Sequence, residues 1–459
     1  MSKNIEALSY QEGLLFLWAH VLSSSGFGQR DVLPERIRSM SYLKSLQCKH
    51  CGKEYPPDRS FVCLECFGPL EVTYDYAAIQ TDISPIVFSQ RAQNLWRYRE
   101  LLPLEGDPIQ GFNSGYTPLV KAKRLAKYLN VKELYLKDDS VNHPTLSYKD
   151  RVVPIALSRG AELGYTVFSC ASTGNLASSV AAHCARAGFP CLLFIPHDIE
   201  SAKITGSLLY KPHIIALEGN YDDVNRLCAE IGDHYGWGFV NVNLRPYYTE
   251  GAKTMGYEIA EQLGWKLPDH MVLPTAGGTL LPKVAKAFRE LIDLDWVEGQ
   301  CRIHSAQAAG CAPIIRALHD GHDAIEPVKP DTLAKSIAIG NPADGPYVLQ
   351  AVRDSGGWGE SATDPEILEA VELLAKMEGI FTEPAGGTTL AATIKLIHQK
   401  RIDPNDTIVV AITGNGYKTL DVFESQRHVD VTLRPNLRVF REWYEEHQLV
   451  SKTQVEMPA

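Results

Sequence analysis

The chain has 459 residues, 45% hydrophobic and 22% charged, which is ordinary for a soluble globular protein, and that length exceeds one compact core, so two or more lobes are expected. A formal net charge of −10 argues against a nucleic-acid or anionic-membrane surface as its main business. No apolar run approaches the roughly 20 residues a membrane helix needs.

Residues 1–39 read as an extension of unknown role. Gly13 to Leu22 is apolar, but only Lys3 precedes it as a basic residue, against Glu6 and Glu12, and no clear cleavage site follows. Met40 serves equally well as a start. Residues 40–76 then carry two C-x-x-C knuckles, Cys48/Cys51 and Cys63/Cys66, each followed closely by glycine. Four thiolates on two knuckles close a tetrahedral zinc site and leave no open position for water, so the expected metal is structural, in a ribbon-like module. The other six of the ten cysteines are scattered through apolar patterns, which fits a reducing cytosol and a cytoplasmic protein.

From residue 77 onward connecting helices and loops give way to strand and helix in alternation. Short apolar runs at 134–136, 166–170, 191–195, 214–217, 271–273, 302–304 and 407–412 read as strands. Helical patterns lie between them, including Asn175 to Arg186, and Pro435 to Gln448 reads as an amphipathic surface helix. The class is α/β, with mainly parallel sheets covered on both faces.

Lys149 opens a helix after a proline turn and a serine that can cap, and Asp150 in the first turn suits the helix dipole. The dipole field and nearby Arg151 are expected to lower the pKa of Lys149 and favour a neutral amine. In doubly wound sheets ligands bind at the carboxyl ends of strands. Three such ends carry small polar or glycine-rich loops: Ala171 to Asn175, Pro274 to Leu280, and Thr413 to Gly416. The first suits a carboxylate and the second lets backbone amides approach a phosphate. No G-x-G-x-x-G after a strand and no P-loop is present. A lysine, a phosphate cradle that is not a P-loop and a polar carboxylate loop together suggest pyridoxal phosphate.

These motifs are joined by the segment Pro144 to Arg151, Glu250-Gly251-Ala252-Lys253-Thr254, Ile339-Gly340-Asn341-Pro342 and Glu383-Pro384-Ala385-Gly386-Gly387. In that order and spacing the chain resembles the threonine synthase family of fold-type II, tryptophan synthase β-like, pyridoxal-phosphate enzymes, from about Leu43 to about Val422. The resemblance implies two lobes, each with a mainly parallel twisted sheet flanked by helices, and the N-terminal zinc-ribbon-like module. The expected division is 77–155 with 256–440 as the large lobe, 156–255 as the small lobe, and 441–459 as a C-terminal helix and tail.

Residue by residue, the resemblance implies Lys149 as the Schiff-base lysine and Asn175 as the partner of the cofactor's ring hydroxyl. Ala276, Gly277, Gly278, Thr279 and Leu280 fall on the phosphate loop, and Thr413 on the hydroxyl facing the pyridine nitrogen. Ser172 and Thr173 fall on the loop that receives the substrate carboxylate or phosphate. Asn243 and Arg245 are candidates for the substrate phosphate, since arginine forks two bonds to it. Arg245 as an ordinary surface arginine, or Lys253 in its place, are the alternatives. Three departures from the family pattern are His143 before the proline, Tyr148 in place of the usual phenylalanine, and Leu176 after Asn175.

The implied reaction is conversion of O-phospho-L-homoserine and water to L-threonine and phosphate by γ-elimination and β-addition, with Lys149 moving the protons. Alternatives are a cysteate synthase or a serine or threonine dehydratase on the same fold, or a catalytically inactive binding protein. The expected partner is this small substrate, with no nucleic acid and no membrane, and a homodimer is expected because related enzymes often pair.

Overall fold

The computed structural model describes residues 41–109, 112–172, 174–197, 202–218, 221–426 and 429–447. The extension 1–39 and the end of the tail, 448–459, lie outside the described residues. Among those described, no helix is long and apolar enough to cross a membrane.

Strand β1 (Leu43–Cys48) runs antiparallel between β2 (Glu54–Tyr55) and β3 (Leu70–Tyr74), making a small ribbon of its own. Next come β4 (Leu119–Lys121) and β5 (Glu133–Asp138). A second sheet follows from β6 (Phe168–Ala171), β7 (Cys191–Pro196), β8 (His213–Leu217) and β9 (Gly238–Phe239). The chain then returns through β10 (His270–Pro274), β11 (Arg302–Ala308), β12 (Gly359–Ala362) and β13 (Thr407–Ile412). The large sheet has the order β12-β11-β10-β13-β5-β4, parallel except for the edge strand β4. The smaller sheet is parallel throughout, in the order β8-β7-β6-β9.

The large sheet is buried on both faces, and its alternation sorts side chains into two cores. Leu134, Leu136, Val272, Ile408 and Val410 face one core, with Leu390 and Leu396 of the helix Pro384–His398. Met271, Leu273, Val409 and Ala411 face the other. That second core also holds Leu46, Val72 and Tyr74, so the cysteine ribbon is packed into the body of the protein.

The expected strands and the two helices are all present, the last helix being Leu437–His447 with no buried residue. Three expected boundaries, 155/156, 255/256 and 440/441, fall inside the helices Lys149–Glu162, Lys253–Gln262 and Leu437–His447, so they do not coincide with element ends.

At the amino ends of the central strands a histidine chain has its protons fixed by geometry. Trp358 donates its backbone N–H to His304 Nδ1 (3.0 Å), which leaves the His304 proton on Nε2. That N–H donates to His270 Nδ1 (2.9 Å), and His270 Nε2–H donates to Asp406 (2.9 Å). Burial, then His270 and Arg302, hold His304 down at about 3 from an ordinary value of 6.5. The unfolded chain therefore takes up a proton below pH 6.5 that the native state refuses. The stability this histidine contributes is present above that pH and is lost as pH falls towards 3. Urea unfolding between pH 7 and pH 4 should show a slope of at most about 1.4 kcal/mol per pH unit from this group, and His304→Gln should remove that component.

Candidate active site

Parallel order sets β10, β13 and β5 side by side with their carboxyl ends on one edge. The chain leaves β5 through a loop that docks on the end of β13. Tyr148 N–H donates to Thr413 O (3.0 Å) and Asn415 N–H donates to Leu146 O (3.1 Å). Asn142 braces the same loop from within, its Nδ2 donating to Ser147 O at 3.1 Å. The helix Lys149–Glu162 then starts with Tyr148 at its cap position and no side-chain cap. Ser147 does not act as a cap: its Oγ is buried with no hydrogen-bond partner among the described residues.

The helix is anchored by the two residues after Lys149. Asp150 accepts from Thr145 N–H (2.9 Å) and from the hydroxyls of Thr145 (2.9 Å) and Ser179 (2.7 Å). Arg151 is fully buried, with Asp139 at 2.6 Å and Glu258 at 2.8 Å, and it also donates to Thr254 and Thr117. Lys137 meets the same Glu258 carboxylate at 2.7 Å. Burial opposes the charge on Glu258, but Arg151 and Lys137 outweigh it and hold the carboxyl at about 2.

This arrangement corrects the expectation for Lys149. The charge of Arg151 is matched by two carboxylates and is not directed at the amine. Lys149 Nζ lies 2.6 Å from the Tyr148 hydroxyl and 3.2 Å from that of Tyr248. Burial alone would lower its pKa, but the two phenolic oxygens reverse the sign and raise it. Burial pushes Tyr248 itself up to about 12.

Asn175, first in the helix Asn175–Ala187, donates its amide to both oxygens of Glu383, at 3.1 and 3.2 Å. Glu383 is buried, and burial raises its carboxyl pKa. Its backbone N–H donates to Gly414 O at 3.0 Å. A Cβ on Gly414 would sit 2.3 Å from Glu383 Oε1, so only glycine allows this approach. Lys149, Thr413, Asn175 and Glu383 thus form one connected group. Sequence reasoning assigned no role to Glu383 or Tyr248; the glutamate stood in a noted motif, whereas Tyr248 gave no local signal.

The loop from Ala276 to Thr279 follows β10 and leads into the helix Leu280–Asp293, which has no side-chain cap on its first N–H groups. Gly278 has φ +97°, and at Gly277 an added Cβ would meet nothing within 4 Å. Gly277, open on its Cα, stands before a helix whose first N–H groups have no side-chain cap, which fits a phosphate, and the Lys149 amine two residues from a serine hydroxyl with no partner among the described residues fits a polar aromatic aldehyde. The residues present therefore fit pyridoxal phosphate. Ser172 stands at the carboxyl end of β6, while Thr173 lies outside the described residues.

The expected substrate-phosphate ligands divide. Asn243 is committed to its own turn, accepting from Phe239 N–H (2.8 Å) and donating to Trp237 O (2.8 Å). Lys253 is fully buried between Glu250 (2.7 Å) and Glu290 (2.9 Å), which corrects its candidacy. Arg245 pairs with Asp344 at 2.8 Å, and the same carboxylate oxygen accepts from Thr279 at 3.0 Å, so Arg245 stands beside the loop that follows β10.

In the ribbon the four sulfurs of Cys48, Cys51, Cys63 and Cys66 lie within 4.8 Å of one another. Cys48 to Cys66 is 3.4 Å and Cys51 to Cys63 is 3.6 Å. Disulfides are excluded at these lengths, and about 3.8 Å is the edge of a tetrahedron with Zn–S bonds near 2.3 Å.

Comparison with known proteins agrees with this class of site. Residues 112–414 match the family described as "Pyridoxal-phosphate dependent enzyme". The fold is shared with diaminopropionate ammonia lyase from Escherichia coli (TM-score 0.58, 18% identity, 69% of this chain and 88% of that one). It is also shared with threonine deaminase isoform 2 from Solanum lycopersicum (TM-score 0.56, 21% identity, 67% and 87%). Two sequence relatives are nearer: threonine synthase from Methanosarcina acetivorans, 36% identical over 84% of this chain and 96% of the relative, and that from Methanocaldococcus jannaschii, 36% identical over 82% and 93%. The chain belongs to the pyridoxal-phosphate dependent enzymes and, among them, to the threonine synthase family.

The clamp on the lysine helix is open to direct measurement. Arg151→Met strips Asp139 and half of Glu258 of their buried partner and should lower the unfolding free energy by about 3–5 kcal/mol. Urea denaturation checks this, and a loss below about 1 kcal/mol, the worth of a surface pair, would show that the carboxylates find other partners.

Proposed function

We propose that this chain acts as a threonine synthase, converting O-phospho-L-homoserine and water to L-threonine and phosphate. The observation that carries the reading is the Lys149 amine held between two phenols, joined through Tyr148 to Thr413 at the carboxyl edge of the large sheet. Lys149 holds the cofactor, with Asn175 at its ring hydroxyl, Ala276 to Leu280 at its phosphate and Thr413 at its ring nitrogen. When bound, pyridoxal phosphate supplies the electron sink that makes protons on the substrate's α- and β-carbons removable.

The chain's own part is to place and move protons. Lys149 takes the proton from Cα, then from Cβ as the Cγ–O bond breaks and phosphate leaves; it returns one proton to Cγ and, once water has added its hydroxyl at the β-carbon and given its proton to the phosphate, the other to Cα. Tyr148 and Tyr248 keep the amine in one place while it is free, because each offers an oxygen within hydrogen-bond reach. Thr413 offers the ring a neutral hydroxyl, so the ring nitrogen is not held protonated and Lys149 carries the proton traffic. Ser172, Thr173 and Arg245 are the residues proposed for the substrate's anionic groups. The Arg245 guanidinium is about a third exposed and already faces the phosphate loop through Asp344. A structural zinc at Cys48, Cys51, Cys63 and Cys66, the lobe division 77–155 with 256–440 against 156–255, a homodimer and a cytoplasmic location belong to the same proposal.

Turnover separates this reading from its rivals. Purified protein supplied with O-phospho-L-homoserine should release phosphate and form threonine, and Lys149→Ala should abolish both while leaving the chain folded, since Lys149 belongs to none of the buried ion pairs that anchor its helix. Phosphate release from phosphoserine but not from O-phospho-L-homoserine would overturn the assignment.

A further inference from the structure

The cysteine ribbon has no part in the chemistry described above, yet it touches the proposed phosphate loop's supports from two sides. On the first side, the knuckle residues Lys49 and His50 hold Tyr347. The Lys49 ammonium sits 3.5 Å over the Tyr347 ring, and His50 Nε2 is 2.8 Å from its hydroxyl. Tyr347 lies in the first turn of the helix Gly345–Asp354, and its N–H donates to Asp344 O at 3.1 Å. Asp344 is the residue that fixes the loop. Its N–H donates to Gly277 O at 2.9 Å, and its carboxylate accepts from Thr279 Oγ1 at 3.0 Å and from Arg245 at 2.8 Å. The fit is close enough that a Cβ on Gly278 would come within 2.8 Å of the Asp344 carbonyl carbon.

On the second side, β3 of the ribbon holds the helix that the loop runs into. Glu71 meets Lys283, in the first turn of the helix Leu280–Asp293, at 2.7 Å. One turn on, Lys286 donates to Val72 O at 2.6 Å. Glu250 joins the same buried lattice, taking Lys286 at 3.1 Å and Lys253 at 2.7 Å. Lys49, Glu71, Arg245, Gly278, Thr279 and Asp344 line one small cavity between ribbon and loop. A loop that binds a phosphate through its backbone amides needs those amides held still by what surrounds them.

We propose that the four-cysteine ribbon is a brace for the cofactor-phosphate loop, with Asp344 and Tyr347 as positioning residues that carry its rigidity to Gly277 and Thr279. The inference rests on the reading of 276–280 as the loop that holds the cofactor phosphate. The metal's contribution is to lock the knuckle from which Lys49 and His50 project, so cofactor affinity depends on an ion that never meets the cofactor.

The test compares two aldehydes that differ in the phosphate alone. Full-length cofactor-free protein is titrated with pyridoxal phosphate and, separately, with pyridoxal, and binding is read from ligand absorbance. Tyr347→Ala and Asp344→Ala should each weaken pyridoxal phosphate about tenfold, the size of losing one charge-assisted hydrogen bond, and leave pyridoxal unchanged. Chelation of the wild type should give the same selective loss, reversed by zinc ion. If Tyr347→Ala fails to fold, Tyr347→Phe drops only the His50 contact and should cost about threefold. Unchanged affinity for pyridoxal phosphate in these variants, or equal losses for both aldehydes, overturns the brace. In that case a wild type that still favours the phosphorylated aldehyde keeps the reading of the loop intact. A wild type that binds both aldehydes equally overturns that reading and the brace with it.

Discussion

Arg151 decides where Lys149 can be. Its guanidinium is sealed between Asp139, which follows β5, and Glu258, on the helix Lys253–Gln262, with Thr117 and Thr254 closing the set. A buried charge so partnered cannot move without stranding another, and removal of one member costs far more than a surface pair is worth. The helix start is therefore fixed from below by ion pairs and from above by the docking of Tyr148 on Thr413. The Lys149 side chain reaches from that fixed point to lie between two phenols.

The same logic recurs around the site. Gly414 lets Glu383 come against the end of β13, and Glu383 in turn orients the Asn175 amide across from the smaller sheet. Asp344 ties the loop after β10 to Arg245. Arg151, Glu383 and Asp344 each hold a neighbouring element in place, and the first two are ionisable and buried. The burial of Lys137, Lys253, Glu250, Glu258 and Glu290 stands out against the ordinary composition of the chain.

What could be read in the sequence follows from how local each signal is. Strands such as β10 and β13 are continuous apolar runs, and a run of that kind has one stable home, the middle of a parallel sheet. By contrast β12, Gly359–Ala362, has no apolar pattern and becomes a strand only through pairing with β11. The places of Lys149 and Asn175 at helix starts, and of the loop 276–279 between β10 and a helix, are legible because turn chemistry and helix starts are written within a few residues. Lys253 has one partner, Glu250, inside its own motif, but the second, Glu290, lies 37 residues away, and burial between the two leaves no local mark. Arg151 misled for the same reason: its charge looked free until Glu258 closed on it from 107 residues further along the chain. The two-knuckle cysteine pattern was plain, but its packing against Tyr347 and Lys283 belongs to the folded chain alone.

The proposed function requires a covalent bond between Lys149 and a vitamin-derived aldehyde. Incubation of the full-length protein with pyridoxal phosphate, reduction with borohydride and peptide mapping of the product tests it directly. The account predicts the reduced adduct on Lys149 and no stable adduct in Lys149→Ala. An adduct on a different lysine, or none in the wild type, would contradict it.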